Sequence, residues 1–373
     1  MAEKSPTIDG IPVVNRPTRA RLNDRQLVDY EEHKTSLIKW LRHFGKEPEK
    51  AEGYARTTVR QVAQKADKFY RWVWDDREGY TTEVGSDDAE RYVTSLIYAE
   101  SEYSNGHMAS TQKCLQRLFK WRRHELGDEI EWEPTHTFSQ SATQARDYLT
   151  IEERKQIREA ALEYGSIPTY NGLTPTERDE WKVHLAQRFE KPKSEVTKAE
   201  WDRANGWKIP SMVWTSLDAG LRPIEVGRAT TQWVDTENAV LRIPKDESTK
   251  NRENWIVGVT DRTATALDRW LNERDLHDTY ETTDALWLTR EGNPYSSQSL
   301  IYVLHRLCDI AGIPTENRKM SWYAIRHSVG TYMTREEDLA AAQAQLRHKS
   351  PETTMRYDQT PVEDRKDALN RMG

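Results

Sequence analysis

The sequence predicts a mainly α-helical protein in two domains, the second of which carries one small antiparallel β-sheet. The prediction rests on three observations. Apolar residues recur at helical spacing through most of the 373 residues, and only two short segments alternate apolar with polar. A polar stretch without periodicity, 133–147, interrupts the helical pattern. The expected division is a disordered tail over 1–20, a helical domain over 21–132, a linker over 133–147 and a second domain over 148–373.

Residues 1–17 are polar and carry both charge signs, which is the ground for expecting a tail. From Asp24 to about Arg42, Leu27, Tyr30, Leu37, Trp40 and Leu41 share a helix face, and Gly45 follows as a stop. A second helix is expected from about Thr57 to Trp74. Its apolar face holds Val59, Val62, Ala66, Phe69, Tyr70 and Val73, with Arg60, Lys65, Lys68 and Arg71 around it. A third begins at Ser86, where Asp87 and Asp88 suit the positive end of a helix. A fourth runs from Ser110, through Leu115, Leu118, Phe119 and Trp121, to Leu126 and Gly127.

Past the linker, Thr150 is placed to cap a helix with Glu152 and Glu153 in its first turn. Residues 165–208 hold Pro168, Gly172, Pro175 and Pro192 among many charges and are expected to form a partly helical surface excursion. A small-residue helix, Met212 to Ala219, reaches Gly220 and Arg222. The segments Ala239–Pro244 and Trp255–Val259 alternate as a hairpin joined by a polar loop. Helices are expected at about Thr263–Arg274, Ser296–Ala311, Tyr323–Arg335 and Leu339–Leu346.

Composition narrows the function. Charged residues are 31% of the chain, and no run of about 18 apolar residues could cross a bilayer, so a membrane role is not expected. Cys114 and Cys308 are far apart and form no Cys-x-x-Cys pair, which points away from a zinc ribbon or disulfide framework and towards a reducing, cytoplasmic setting. No cofactor is expected. The formal charge of −6 argues on its face against a nucleic-acid partner. Local clustering matters more, because charges beyond a Debye length of about 8–10 Å are largely screened. Between Ser110 and His124 the chain has Lys113, Arg117, Lys120, Arg122 and Arg123 and no acid. Lys113, Arg117 and Lys120 fall at i, i+4 and i+7 and share one face, a pattern suited to a helix laid along a DNA groove. Arg60 and Arg123 extend this expected contact surface.

The second domain is punctuated by Arg222 in Ala-Gly-Leu-Arg-Pro-Ile-Glu-Val, Lys250 in the hairpin, Arg326 in Tyr-Ala-Ile-Arg-His, His348 in Leu-Arg-His and Tyr357 in Met-Arg-Tyr-Asp. Singly, each is an ordinary structural residue. In this order, with Glu225 three residues after Arg222 and Tyr357 nine after His348, they resemble the catalytic domain of the tyrosine recombinases, the phage integrase and Xer-like family. The resemblance covers about Asp147 to Met372. The first domain resembles the family's helical core-binding module more weakly, through Thr58-Val59-Arg60 followed by Phe69 and Trp72.

The resemblance implies a clamp around double-stranded DNA and a site-specific recombinase that cuts and rejoins strands through a phosphotyrosine on Tyr357. It also implies a homotetramer on DNA, assembled through the apolar stripe of the tail 361–372. Chemistry gives independent reasons for these residue types. Displacement at a phosphodiester gathers charge on the non-bridging oxygens, and the planar guanidinium groups of Arg222 and Arg326 suit that charge. His348 adds a hydrogen bond, and Lys250 protonates the leaving 5′ oxygen. Lys245 is its rival in the hairpin, and the resemblance favours Lys250, because its spacing of eight residues to Gly258 matches the family's spacing from Lys to the end of the second strand. The covalent intermediate conserves bond energy, so rejoining requires neither ATP nor metal.

Two departures from the family pattern stand out. Tyr323 occupies the place of a His three residues before Arg326, and it can donate a hydrogen bond but is a poor base. His327 is not expected to replace it, since adjacent helix residues point about 100° apart. Arg347 stands where the family commonly has Gly, and is expected to add a phosphate contact. A catalytically silent DNA-binding protein of the same fold and a type IB topoisomerase stay open as alternatives.

Overall fold

The computed structural model describes residues 6–99, 103–138, 147–164, 167–204, 206–248, 253–357 and 362–372. The chain divides into two compact units, 1–144 and 145–373.

The first unit opens with a short hairpin, β1 (Thr7–Ile8) and β2 (Ile11–Pro12), paired antiparallel with Ile8 opposite Ile11. Asp9 and Gly10 both take positive φ, 49° and 67°, as the Asp-Gly turn of a two-residue hairpin requires. The single turn α1 (Arg16–Arg19) follows, capped by the Asn15 side chain. The expectation of a disordered tail over 1–20 is therefore corrected for residues 6–20. Ile11, Val13 and Val14 are buried in the core, and Asn15 N donates to Asp67, whose carboxylate also holds the buried Lys34 at 2.8 Å and accepts from Tyr30 Oη. Asp-Gly between two isoleucines is the signal in the sequence that marks this hairpin.

Four longer helices follow: α2 (Asp24–His43), α3 (Arg56–Asp76), α4 (Ser86–Tyr98) and α5 (Asn105–Trp121). The last starts five residues before the expected Ser110, because Ser104 supplies the cap. It passes into a π turn, Arg122–Leu126, closed by Gly127 at φ 76°. Trp132 packs on this core.

In the second unit, α6 (Ile151–Glu163) is capped by the Thr150 and Glu153 box. The excursion forms α7 (Pro175–Arg188) and α8 (Lys198–Arg203), which gather Trp181, Leu185, Val196 and Trp201 into a small core of their own. The central helix α9 (Lys208–Ala219) packs against α6, α11 (Asp261–Arg274) and α13 (Trp322–Glu336). Between α9 and α11 lie the turn α10 (Pro223–Val226) and a sheet of order β3-β4-β5: β3 (Val234–Asp235), β4 (Val240–Ile243) and β5 (Trp255–Gly258), all antiparallel. The sequence predicts only β4 and β5, since a two-residue strand has no period to read. Then come α12 (Ser297–Ala311), α14 (Leu339–Leu346), the turn α15 (Pro351–Thr354), a 3-10 turn at Met355–Tyr357 and the tail helix α16 (Val362–Met372). Trp233, Trp270, Trp287 and Trp322 are fully buried, so these rings belong to the core. Among the described residues no helix is long and apolar enough to cross a membrane. Cys114 and Cys308 are buried free thiols.

Candidate active site

Helix α9 ends at Gly220, which adopts φ 56°, and the chain turns sharply so that Arg222 becomes the residue before α10. Pro223 at the first helical position sets that turn. Glu225 then reaches back: its carboxylate accepts from Arg222 N at 2.7 Å and from the Arg222 guanidinium at 2.7 Å. The same carboxylate accepts from Arg347 Nη2 at 2.8 Å. Burial would raise the Glu225 pKa, but the charges of Arg347, Arg222 and Arg326 outweigh it and hold the acid down to about 2. One permanent anion thus organises three buried guanidinium groups.

Arg326 projects from α13 into the same cluster. It is 2% exposed and donates to the carbonyls of Gly220 and Leu346. Burial first, then repulsion from Arg222 and Arg347, pulls its pKa down to about 9, which leaves it charged at neutral pH. Arg222 and Arg326 are therefore fixed by carbonyls and one carboxylate, as a preorganised clamp requires.

Arg347 corrects an expectation. It caps α14 in the left-handed conformation, φ 55°, and is 1% exposed. Its guanidinium donates to the carbonyls of Ala219 and Gln345 as well as to Glu225. Buried and held by these carbonyls and the carboxylate, it braces Arg222 through Glu225 and has no open face for a phosphate.

His348 follows directly. Its Nδ1 bonds the Thr354 hydroxyl at 2.9 Å, and its ring stacks on Tyr357 with 5.9 Å between centroids and 7° between planes. Burial, then the charges of Arg326, Arg222 and Arg347, lowers its pKa to about 3, so it is neutral at physiological pH. Tyr357 lies in the 3-10 turn, 8% exposed, packed with Val329 and Leu346. Its hydroxyl is 2.9 Å from Nδ1 of His327.

The contact with His327 overturns the argument from the 100° step. The angular difference is real, and it is what separates two faces of α13. Arg326 points to the guanidinium cluster, while Tyr323, His327 and Gly330, at i, i+4 and i+7, share the face on which the Tyr357 ring lies. Tyr323 is 44% exposed and stacks on His327 at 6.0 Å, and no hydrogen bond joins it to Tyr357 among the described residues. His327 and Gly330, not Tyr323, meet the phenol. The 323, 327, 330 spacing was the signal in the sequence that could have found them.

Lys250 lies outside the described residues. Its rival Lys245 is exposed at the foot of the hairpin loop, its backbone N–H bonded to the Asn254 side chain.

In the first unit the structure divides the basic residues of α5. Lys113 is exposed, and Arg117 lies over the Tyr54 ring. Both line a shallow depression with Thr58, Gln61, Ser104 and Ser110. Lys120 donates to the carbonyls of Gly45 and Lys46, Arg123 pairs with Glu131, and Arg60 donates to Gly10 O.

Residues 198–363 match the model of the Phage integrase family. Among solved structures, similar folds include XerH site-specific recombinase bound to palindromic difH substrate in a post-cleavage complex. That match has 15% identity and TM-score 0.58, and covers 96% of this chain and 90% of that one. The Tn1549 transposon integrase in complex with transposon right end DNA is similar at 15% identity and TM-score 0.52, covering 91% and 98%. A lambda integrase dimer bound to a COC′ core site is similar at 14% and 0.50, covering 92% and 81%. At such identities the likeness to these three is one of fold. No curated protein sequence matches. Residues 198–363 thus carry a phage integrase family domain, and the fold of the chain is similar to that of these recombinases and integrases.

Proposed function

We propose that the protein is a site-specific DNA recombinase that cleaves each strand by attack of Tyr357 on a phosphodiester, leaving a 3′-phosphotyrosine, and rejoins it to a new 5′ end. The observation that carries this reading is the grouping of two buried guanidinium groups, Arg222 and Arg326, with the Tyr357 phenol and His348 in one cluster. In this reading the guanidinium groups bind the non-bridging oxygens as charge develops on them. His348, held neutral with Nδ1 engaged by Thr354, directs its other ring nitrogen as a donor. Lys250 from the hairpin protonates the leaving 5′ oxygen. Lys113 and Arg117 position the first unit on the phosphate backbone, which sets register and carries no sequence information.

The reading extends to a homotetramer on two duplexes, joined by α16, in which Leu369 and Met372 are exposed. The apolar stripe of an eleven-residue helix is too small to hold the helix alone. Its setting is the cytoplasm. A plasmid carrying two copies of the DNA that flanks the gene tests the function. Incubation is expected to excise the intervening segment as a circle, and Arg222→Ala or Arg326→Ala is expected to lower the rate by about 10²–10³. Relaxation of plasmids lacking that DNA, without excision, would contradict the reading and indicate a topoisomerase.

A further inference from the structure

We infer that His327 is the proton acceptor for Tyr357 during strand cleavage and its proton donor during rejoining. The inference rests on the recombinase reading above and adds to it a route for the phenolic proton. A phenol has an ordinary pKa near 10 and is almost wholly protonated at neutral pH, so attack on phosphorus requires a base at its oxygen.

His327 is placed for this. It is 8% exposed, on the α13 face that carries Gly330, and its Nδ1 is 2.9 Å from Tyr357 Oη, within the reach a general base needs. With the proton of the imidazole on Nε2, Nδ1 accepts from the phenol. Among the described residues, the titratable groups facing it include Tyr323 from its own helix, Tyr357 from the 3-10 turn and His348 from the loop after α14. Neither Tyr323 nor His348 competes for the proton. Tyr323 presents its ring to His327, and a phenol is no base at neutral pH. His348 stacks parallel on the Tyr357 ring, its Nδ1 is taken by Thr354, and three arginines oppose a positive charge on it.

The step balances. Tyr357 Oη forms a bond to phosphorus, and the bond from phosphorus to the 5′ oxygen breaks, leaving its electron pair on that oxygen. The phenolic proton passes to His327 Nδ1, and the 5′ oxygen takes a proton from the acid assigned to Lys250. In rejoining, the 5′ hydroxyl returns its proton to that acid and attacks phosphorus, while the His327 imidazolium protonates the departing Tyr357 oxygen. The partition of work on α13 follows: Arg326 serves the phosphate and His327, one residue on, serves the nucleophile.

Single-turnover cleavage of a nicked suicide substrate, followed from neutral to alkaline pH, tests the inference. His327→Asn and His327→Gln are expected to slow adduct formation at pH 7 by about 10²–10⁴ with DNA affinity retained. The deficit is expected to shrink as pH rises towards the phenol pKa, near 10. A fluorinated, more acidic tyrosine at position 357 is expected to rescue the variants at neutral pH. A rate within about threefold of wild type, or a loss equal at every pH and insensitive to the fluorinated phenol, overturns the inference and makes His327 a packing residue. Absence of any adduct in the wild-type protein would instead strike the recombinase reading itself.

Discussion

The ring of Tyr357 lies against the backbone of Gly330: a Cβ at residue 330 would stand 2.7 Å from Cδ1 and 2.8 Å from Cε1 of the phenol. Real Cβ contacts are not this close, so any side chain at 330 displaces the Tyr357 phenol from His327. Gly330→Ala is therefore expected to lower cleavage by tenfold or more, since a misplacement of about 1 Å can cost roughly 100-fold. Single-turnover adduct formation checks this. The helix itself is expected to gain slightly, as Ala replaces Gly in its interior.

Among the described residues, Glu225 is the one carboxylate beside Arg222, Arg326 and Arg347. Glu225→Gln leaves buried guanidinium charge uncompensated and is expected to destabilise the protein by about 3–5 kcal/mol, measured by urea unfolding. The acid is held at about 2, below its ordinary 4.5, so its contribution is complete above pH 4.5 and is lost as pH falls towards 2. The Gln variant is expected to lack that loss.

Arg347 holds a left-handed backbone at φ 55°, a strain of about 1–2 kcal/mol for a side chain other than Gly. Arg347→Gly relieves the strain but removes one partner of a buried pair, a loss of about 3–5 kcal/mol, so a net destabilisation of about 2 kcal/mol is expected. A more stable Gly variant would show that Arg347 does not brace the clamp.

His348 adds a second pH dependence. Its folded pKa of about 3 lies below the ordinary 6.5, so between these values the unfolded chain binds the extra proton. Stability is then expected to fall as pH drops from about 6.5 towards 3, by up to about 1.4 kcal/mol per pH unit for this group. In His348→Asn the slope of unfolding free energy against pH is expected to flatten by up to one proton.

Lys113 and Lys120 share a helix face but not a role. Lys113→Ala is expected to weaken DNA binding and reduce the slope of log affinity against log salt by about 1. Lys120→Ala is expected to act first on stability, because its ammonium closes the carbonyls of Gly45 and Lys46 at the end of α2. Fluorescence anisotropy over a salt series and thermal melting separate the two.

Several helix ends were legible: the Thr150 box, the Ser86 start and the Gly127 stop all appear where the sequence places them. The grouping of Arg222, Arg326, His348 and Tyr357 followed from the resemblance that their order and spacing carry, and the structure brings the four together. What was not legible depends on contacts between distant segments. The N-terminal hairpin is ordered by Asp67, far along the chain, and β3 is too short to show a period. Arg347 reads as a spare cation until Glu225 is seen to claim it. His327 reads as pointing away from Arg326, and does so. Only the path of the chain through Met355–Tyr357 brings the Tyr357 phenol to its face.

Trapping the covalent intermediate tests the central claim most directly. A suicide substrate built on the flanking DNA, denaturing electrophoresis and peptide mapping are expected to place a phosphodiester on Tyr357 in the wild-type protein and to show no adduct in Tyr357→Phe. An adduct that persists in Tyr357→Phe, or maps to another residue, contradicts the assignment.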